Sequence, residues 1–474
     1  LNNQEQPMRD LPTFLEALGD VPTITEQALV KGKSRDMTAA FSPVMKREIA
    51  DKFAEVIVRP RTKDDVLRIA SAAARSRMPL ICRGAGTANF GQGIPLQGGA
   101  IVDMTALDQV LWVRDGKVRA EAGAILSKID DAARPKGWEL RMHSSTKRSA
   151  TLGGFVGGGH AGVGSCVYGI LRDRGNILGL QVVSIEEDPK IVELRGDDVN
   201  LVHHAYGTNG IMTELEMPLA PAWPWREAIV MFDEFMPSVE FSRSLATSDG
   251  IVKKLISLAG WPMPGMMKPL APFVRDGKSM VMCLIAAPFF ETFEVLVAEH
   301  GGEITYSGLE GEGPFGCPLY EFAWGHTRLQ VNKTDPAIVS VIGLFASDDP
   351  VRDIAKSYRR FAHMQGLHFE VKRFDHRLAF QGAPFFRYES AEQLAEVMRG
   401  LAEDGAMIAN NHTFLVKEGG MKTVDSADVD FKRRMDPHGL MNPGKLSLET
   451  PDTSKSSGAA LPSEGWKYQQ PTAA

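Results

Sequence analysis

The sequence is poor in cysteine. Its 474 residues contain four, Cys82, Cys166, Cys283 and Cys317, and no two of them form a C-x-x-C pair. That spacing excludes a disulfide framework and a zinc ribbon, and it suits a reducing, cytoplasmic compartment. Basic excess is also missing. Lys and Arg number 53 against 59 Asp and Glu, a net charge of -6, so no nucleic-acid surface is expected. No apolar run reaches the ~18–20 residues of a membrane span. The opening stretch, "LNNQEQPMRDLPTFLEALGD", lacks the basic and apolar regions of a signal peptide. It also lacks an initiator Met, so upstream sequence is expected to be missing. The stretch 449–474 is small, polar and Pro-containing, and is expected to be a disordered tail.

Glycine is abundant, at 46 residues, and much of it is concentrated. "RGAGTANFGQGIPLQGGAIVDM", from Arg83 to Met104, follows the strand-like "PLICR". No Lys-Ser or Lys-Thr pair follows its glycines, which excludes a Walker A loop. Gly84, Gly86 and Asp103 imitate a dinucleotide-binding fingerprint, but Asn89 stands where the third glycine belongs. Gly91, Gly93, Pro95, Gly98 and Gly99 leave no room for the helix that such a fold requires. The segment therefore reads as a strand-to-strand loop whose backbone N–H groups form an anion nest, with Thr87 and Asn89 as added donors and Arg83 as positive charge. A second cluster, "ATLGGFVGGGHAGVGSCVYG", allows backbone to approach a flat ligand where Cβ atoms would clash. A diphosphate nest beside a ring-binding surface describes FAD better than a mononucleotide.

Around these loops the chain begins β-α-β. "TKDDVLRIASAAARSR" has helical spacing at Val66, Ile69, Ala70 and Ala73, and "VLWVRDGKVRAEAG" is a hairpin turning at Asp-Gly. "LGLQVVSIE" and "KIVEL" pair across a turn. Composition changes at "PAWPW"; beyond it, two rounds of β-α-β-type units predict an antiparallel sheet with helices on one face.

At these residues the sequence resembles the FAD-binding domain of the vanillyl-alcohol oxidase and p-cresol methylhydroxylase (PCMH) superfamily. Within it, the sequence is similar to the FAD-linked oxidases typified by glycolate oxidase and D-lactate dehydrogenase. "VIVRPRTKDDV", "CRGAGTANFGQG", "ATLGGFVGGGHAGVGSCVYG", "YGTNGIMTELEMPL" and "FKRRMDPHGLMNPGKL" carry the resemblance, in the family's order. It implies an α+β, two-domain PCMH-type fold with a ferredoxin-like cap. The FAD-binding domain would occupy 1–222 (core about 50–222), the cap 223–417, and a returning segment 418–448. Cofactor contacts are implied at Arg83, Gly84, Ala85, Gly86, Thr87, Ala88, Asn89, Gly123, Thr146, Thr151, Gly154, Gly157, Gly162 and Ile211. Thr87 stands where tethering members carry His, so FAD is expected to be non-covalent.

The resemblance weakens in the cap. Metal-binding members carry "HxGDGNxH" and a later "EHG"; here "IANNHTFLVKEGG" keeps His412 but has Asn411 for the glutamate, so no metal site is expected. His412 and His326 are the candidate bases for oxidising an alcohol or 2-hydroxy acid, since hydride transfer to flavin N5 needs a group to take the hydroxyl proton. Arg328, Arg373 and Arg387 are candidates to clamp a substrate carboxylate. The expected partners are a small-molecule substrate and an electron acceptor, neither identified, with a homo-oligomer left open. A non-catalytic flavin-binding subunit and an NAD-dependent Rossmann dehydrogenase are the alternatives carried forward.

Overall fold

The computed structural model describes residues 9–446. The tail expected over 449–474 lies outside the described residues. Three sheets organise the chain, and the first holds the loop of interest. It consists of β1 (Thr23–Ile24), β2 (Val56–Val58), β3 (Leu80–Arg83) and β4 (Ala100–Asp103), in the order β1-β2-β4-β3. The helix Lys63–Ser76 connects β2 to β3. Thr62 caps it through Asp65 N, and Val66, Ile69, Ala70 and Ala73 are buried, as the spacing requires. Left-handed Arg77 ends it. β3 and β4 are parallel neighbours, yet residues 84–99 between them form no helix. Positive φ at Gly86, Gly91, Gly98 and Gly99 lets the chain reverse by loop alone.

The second sheet contains β5 (Val110–Arg114), β6 (Lys117–Glu121), β7 (Trp138–Leu140), β8 (Gly179–Val183), β9 (Ile191–Arg195) and β10 (Ile211–Pro221). Its path runs β5-β6-β10-β8-β9, with β7 also paired to β10. Asp115 and Gly116 both take positive φ in the β5–β6 hairpin, the requirement of its two-residue turn. One apolar core unites these two sheets, and Phe431, Met435, Leu440 and Met441 enter it from the far end of the chain. Leu80 N donates to Leu440 O at 2.8 Å and Asn442 N to Leu80 O at 2.8 Å, tying that end to β3.

The third sheet begins at Trp225, directly after the composition break. It holds β11 (Trp225–Phe232), β12 (Lys253–Ala259), β13 (Ser279–Ala286), β14 (Glu303–Leu309), β15 (Ile338–Ser340), β16 (Ile342–Phe345), β17 (Leu367–Phe374), β18 (Arg377–Arg387) and β19 (Met407–Ala409). The order is β14-β11-β13-β12-β17-β18-β16-β19, with β15 on β18. Numbered within each half, the strands run 4-1-3-2 and then 2-3-1-4. Two ferredoxin-like units thus meet at the antiparallel β12–β17 seam. Four helices, Phe235–Thr247, Phe290–Glu299, Pro350–Phe361 and Ala391–Glu403, pack their apolar stripes on one face. A second cluster, including Met263, Met267, Leu319, Phe322 and Val331, covers part of the other. The antiparallel sheet with helices on one face is as read from the sequence; the sequence reading did not include the short helices and loops over the second face. No described helix is long and apolar enough to cross a membrane.

Candidate active site

Two glycine-rich walls and the open part of the third sheet enclose a cleft of about 460 Å³, within the usual range for a small-molecule site. The first wall follows β3. Arg83 and every residue from Gly84 to Asn89 line the cleft. Among the described residues, no backbone N–H from Ala85 to Asn89 donates a hydrogen bond, which leaves five consecutive donors for an anion. Arg83 folds under the loop: a Cβ on Gly86 would fall 1.9 Å from its Nη2. Its Nε and Nη1 are buried without a partner among the described residues, and burial lowers its pKa.

The second wall is the helix Leu152–Gly158 with the loop after it. Thr151 caps the helix, accepting from Gly154 N at 3.3 Å. Thr146, Thr151, Gly154, Gly157 and Gly162 all line the cleft. The walls touch where a Cβ on Gly84 would lie 2.0 Å from Thr151 Oγ1. Gly123 and Ile211 do not line the cleft, although their neighbours Ala122, Gly210 and Met212 do. Gly123 packs beneath the wall instead; its N donates to Leu107 O at 2.8 Å, and a Cβ would meet Met104 O at 2.0 Å. Ile211 is fully buried in the core. A row of free N–H donors beside an unpartnered guanidinium suits a diphosphate, and the glycine helix suits a flat ring. The residues present fit FAD.

The sheet supplies the third wall. Along β17, Leu367, Phe369 and Val371 join the apolar core under the helices, so period two sends His368, Glu370 and Lys372 to the opposite face. His368 and Glu370 line the cleft. His368 Nε2 lies 2.9 Å from Glu370 Oε1, 3.1 Å from Thr327 Oγ1 and 3.3 Å from Ser257 Oγ. Glu370 Oε1 also accepts from Ser257 Oγ at 2.8 Å and from Trp324 N. Gly382 on β18 allows this packing, since a Cβ there would fall 1.8 Å from His368 O.

The two histidines expected as bases have different positions. His326 lines the cleft, in the first turn of the helix Gly325–Thr334. Its Nδ1 lies 2.8 Å from Glu321 O, and burial lowers its pKa. His412 is not on the cleft wall. Its Nδ1 lies 2.9 Å from Ser42 Oγ and its Nε2 3.0 Å from Ser340 O. Burial and the nearby Arg328 charge hold His412 down at about 3.

Of the three arginines, Arg328 alone lines the cleft. It is 3% exposed, forms none of the ion pairs within 4.0 Å among the described residues, and its Nε has no partner there. Its guanidinium stands over the Phe41 ring at 5.5 Å, and burial pulls its pKa down to about 9. Arg387 is spent on Asp335 at 2.6 Å, and Arg373 faces away from the cleft, reaching toward Ala246 O. Cys166 is buried in the apolar cluster under the helices, its thiol pushed up to about 12. Among the described residues no group of three or more His, Cys, Asp or Glu is arranged to hold a metal ion.

Some lining residues escaped sequence reasoning. Asp36, Met37 and Phe41 come from the segment before β2, which carries no motif. His368 and Glu370 did carry a signal: in "LHFEVKRF" the polar residues alternate with apolar ones, a pattern that places titratable groups together on one strand face.

Residues 54–195 match the family described as FAD binding domain. The glycolate oxidase subunit GlcD of Bacillus subtilis is 26% identical over 213 residues, covering 43% of this chain and 44% of that protein. The D-2-hydroxyglutarate dehydrogenase of Escherichia coli is 35% identical over 140 residues, 28% of this chain and 13% of that protein. The chain thus spans less than half the length of either relative. Among solved structures, alkyldihydroxyacetonephosphate synthase superposes with a TM-score of 0.67 at 16% identity, covering 94% of this chain and 87% of that one. The fold, the glycine cradle and the matched stretch agree: residues 54–195 form an FAD-binding domain of the PCMH type.

Proposed function

We propose that the protein is an FAD-linked oxidoreductase that converts 2-hydroxy acids to 2-oxo acids. The observation that carries this reading is Arg328, a buried guanidinium on the cleft wall with no carboxylate to pair with among the described residues. A buried cation of this kind is costly unless a ligand completes it, and a planar fork suits a carboxylate. FAD, when bound, supplies a two-electron acceptor at N5. Arg328 would hold the substrate's carboxylate, and a cap side chain would take the hydroxyl proton; His326, on the wall, is better placed for this than His412. Arg83 and the loop Gly84–Asn89 would hold the diphosphate, and Thr87 at the tethering position supports non-covalent attachment. The names of the two relatives, one acting on glycolate and one on D-2-hydroxyglutarate, support the substrate class. The four free cysteines support a reducing compartment.

The GlcD relative is named a subunit, which favours a second reading in which this chain works within an assembly. Anaerobic titration of the purified holoprotein tests both. A panel of 2-hydroxy acids should bleach the flavin, while matching alcohols without a carboxylate should not. Equal bleaching by both sets would overturn the hydroxy-acid reading. No bleaching by any donor would favour the subunit reading.

A further inference from the structure

We propose that His368 and Glu370 form the proton-accepting unit of the cleft. In this arrangement Glu370 is a positioning residue and His368 Nδ1 receives the substrate's hydroxyl proton. The proposal rests on the reading of the protein as a flavin-linked oxidoreductase of hydroxy acids.

Hydrogen-bond accounting fixes the tautomer of His368. Three oxygens surround its Nε2: Glu370 Oε1, Thr327 Oγ1 and Ser257 Oγ. The Ser257 hydroxyl hydrogen goes to Glu370 Oε1 at 2.8 Å. The Thr327 hydroxyl hydrogen goes to Phe322 O at 2.7 Å. Nε2 therefore meets only lone pairs, and it must carry the proton. In the neutral ring the basic lone pair is then on Nδ1, which makes no hydrogen bond to another described residue. The ring belongs to the cleft wall.

The same accounting sets the other histidines apart. In His412, Nε2–H donates to Ser340 O and Nδ1 faces the Ser42 hydroxyl, so both nitrogens are engaged. In His326, Nδ1–H donates to Glu321 O, which leaves Nε2 as a lone pair. A proton there would be backed by a carbonyl and, beyond 4.0 Å, by the Glu321 carboxylate, at the positive end of the helix Gly325–Thr334. A proton on His368 would be backed by a carboxylate 2.9 Å away.

The step balances. The substrate's C–H bond breaks and its electron pair leaves with hydrogen as hydride to FAD. The O–H bond breaks, its proton goes to His368 Nδ1, and the remaining pair closes the C=O bond. The imidazolium then returns its proton to solvent.

Two measurements test the assignment on the FAD-loaded protein. In ¹⁵N-histidine spectra, assigned by difference with His368→Asn, the His368 signals should show the Nε2–H tautomer. Glu370→Gln should shift them. In stopped-flow reduction by the best 2-hydroxy acid, His368→Asn should slow the limiting rate by ~10²- to 10⁴-fold. FAD content and the Kd of a non-reacting 2-oxo acid should stay within about threefold. Glu370→Gln should slow reduction by about tenfold or more. An Nδ1–H tautomer in the parent overturns the proposal, as does a His368→Asn rate within about threefold of the parent. Should His368→Asn not fold, an unslowed Glu370→Gln overturns it instead. If no hydroxy acid reduces the parent, the substrate reading fails, and the tautomer alone decides the dyad.

Discussion

At the scale of single residues, the site holds polar groups without a full set of partners among the described residues. Arg328 shows this most directly: its Nε has none there, and its Nη1 reaches only Ser340 O at 3.5 Å. A hydrogen bond to a charged group contributes ~1.5–3 kcal/mol, so Arg328→Met should raise the Kd of a 2-hydroxy acid by roughly 10- to 100-fold. The Kd for FAD should be unaffected, and separate titrations with the hydroxy acid and with FAD check the difference. Gly86 makes a different demand. At φ +76° a β-branched residue is strained by about 1–3 kcal/mol, and its side chain would displace the Arg83 guanidinium. Gly86→Val should weaken FAD binding by at least tenfold in a fluorescence titration of apoprotein, with a small change in Tm. The demand at Gly86 was legible in the sequence, because a helix-free run of glycines has few mechanical explanations. The tautomer of His368 was not, because Ser257, Thr327 and Glu370 come from three separate segments that only the folded sheet brings together.

At the scale of elements, the β5–β6 hairpin, the helix Lys63–Ser76 and the cap's alternation of strands and helices could be read from period and turn chemistry. The segment before β2 could not. Its role depends on contacts hundreds of residues away: Asn332 Nδ2 donates to Ala40 O at 2.9 Å, and His412 reaches Ser42. On its other side, Met37 N donates to Ala88 O at 2.9 Å. This segment ties the diphosphate loop to the cap. Ser42 holds two of the bonds, since it also caps the helix Pro43–Glu48 through Met45 N at 3.1 Å. Ser42→Ala should cost about 1–2 kcal/mol of stability, measured by denaturant unfolding of the holoprotein. His412→Ala should act in the same direction through the same joint. Its effect on flavin reduction should be smaller than that of His368→Asn.

At the scale of the whole molecule, burial of neutral histidines sets the response to acid. Burial lowers the pKa of His143, His160, His203, His204, His326 and His412. The unfolded chain titrates these groups near 6.5, so below that pH it binds protons that the folded chain refuses. Stability therefore falls as pH drops, by up to about 1.4 kcal/mol per pH unit for each such histidine. The loss for His204 runs from about 6.5 down to about 4. Calorimetry should show Tm falling steeply between about pH 6.5 and 4. Replacing His204 with Asn should flatten the slope.

The antiparallel seam between β12 and β17 has one more consequence. It is three residue pairs long, Ser257 with Glu370, Leu258 with Phe369 and Ala259 with His368, and the strand order of the two halves is mirrored about it. The hydrogen-bonded set around the proposed proton acceptor therefore spans both halves: one supplies Ser257, the other the histidine and the carboxylate. A polypeptide severed in the connection between β14 and β15 would regain turnover only when its two fragments rejoined edge to edge. Catalysis would then report, turn by turn, on whether an internal dimer had formed.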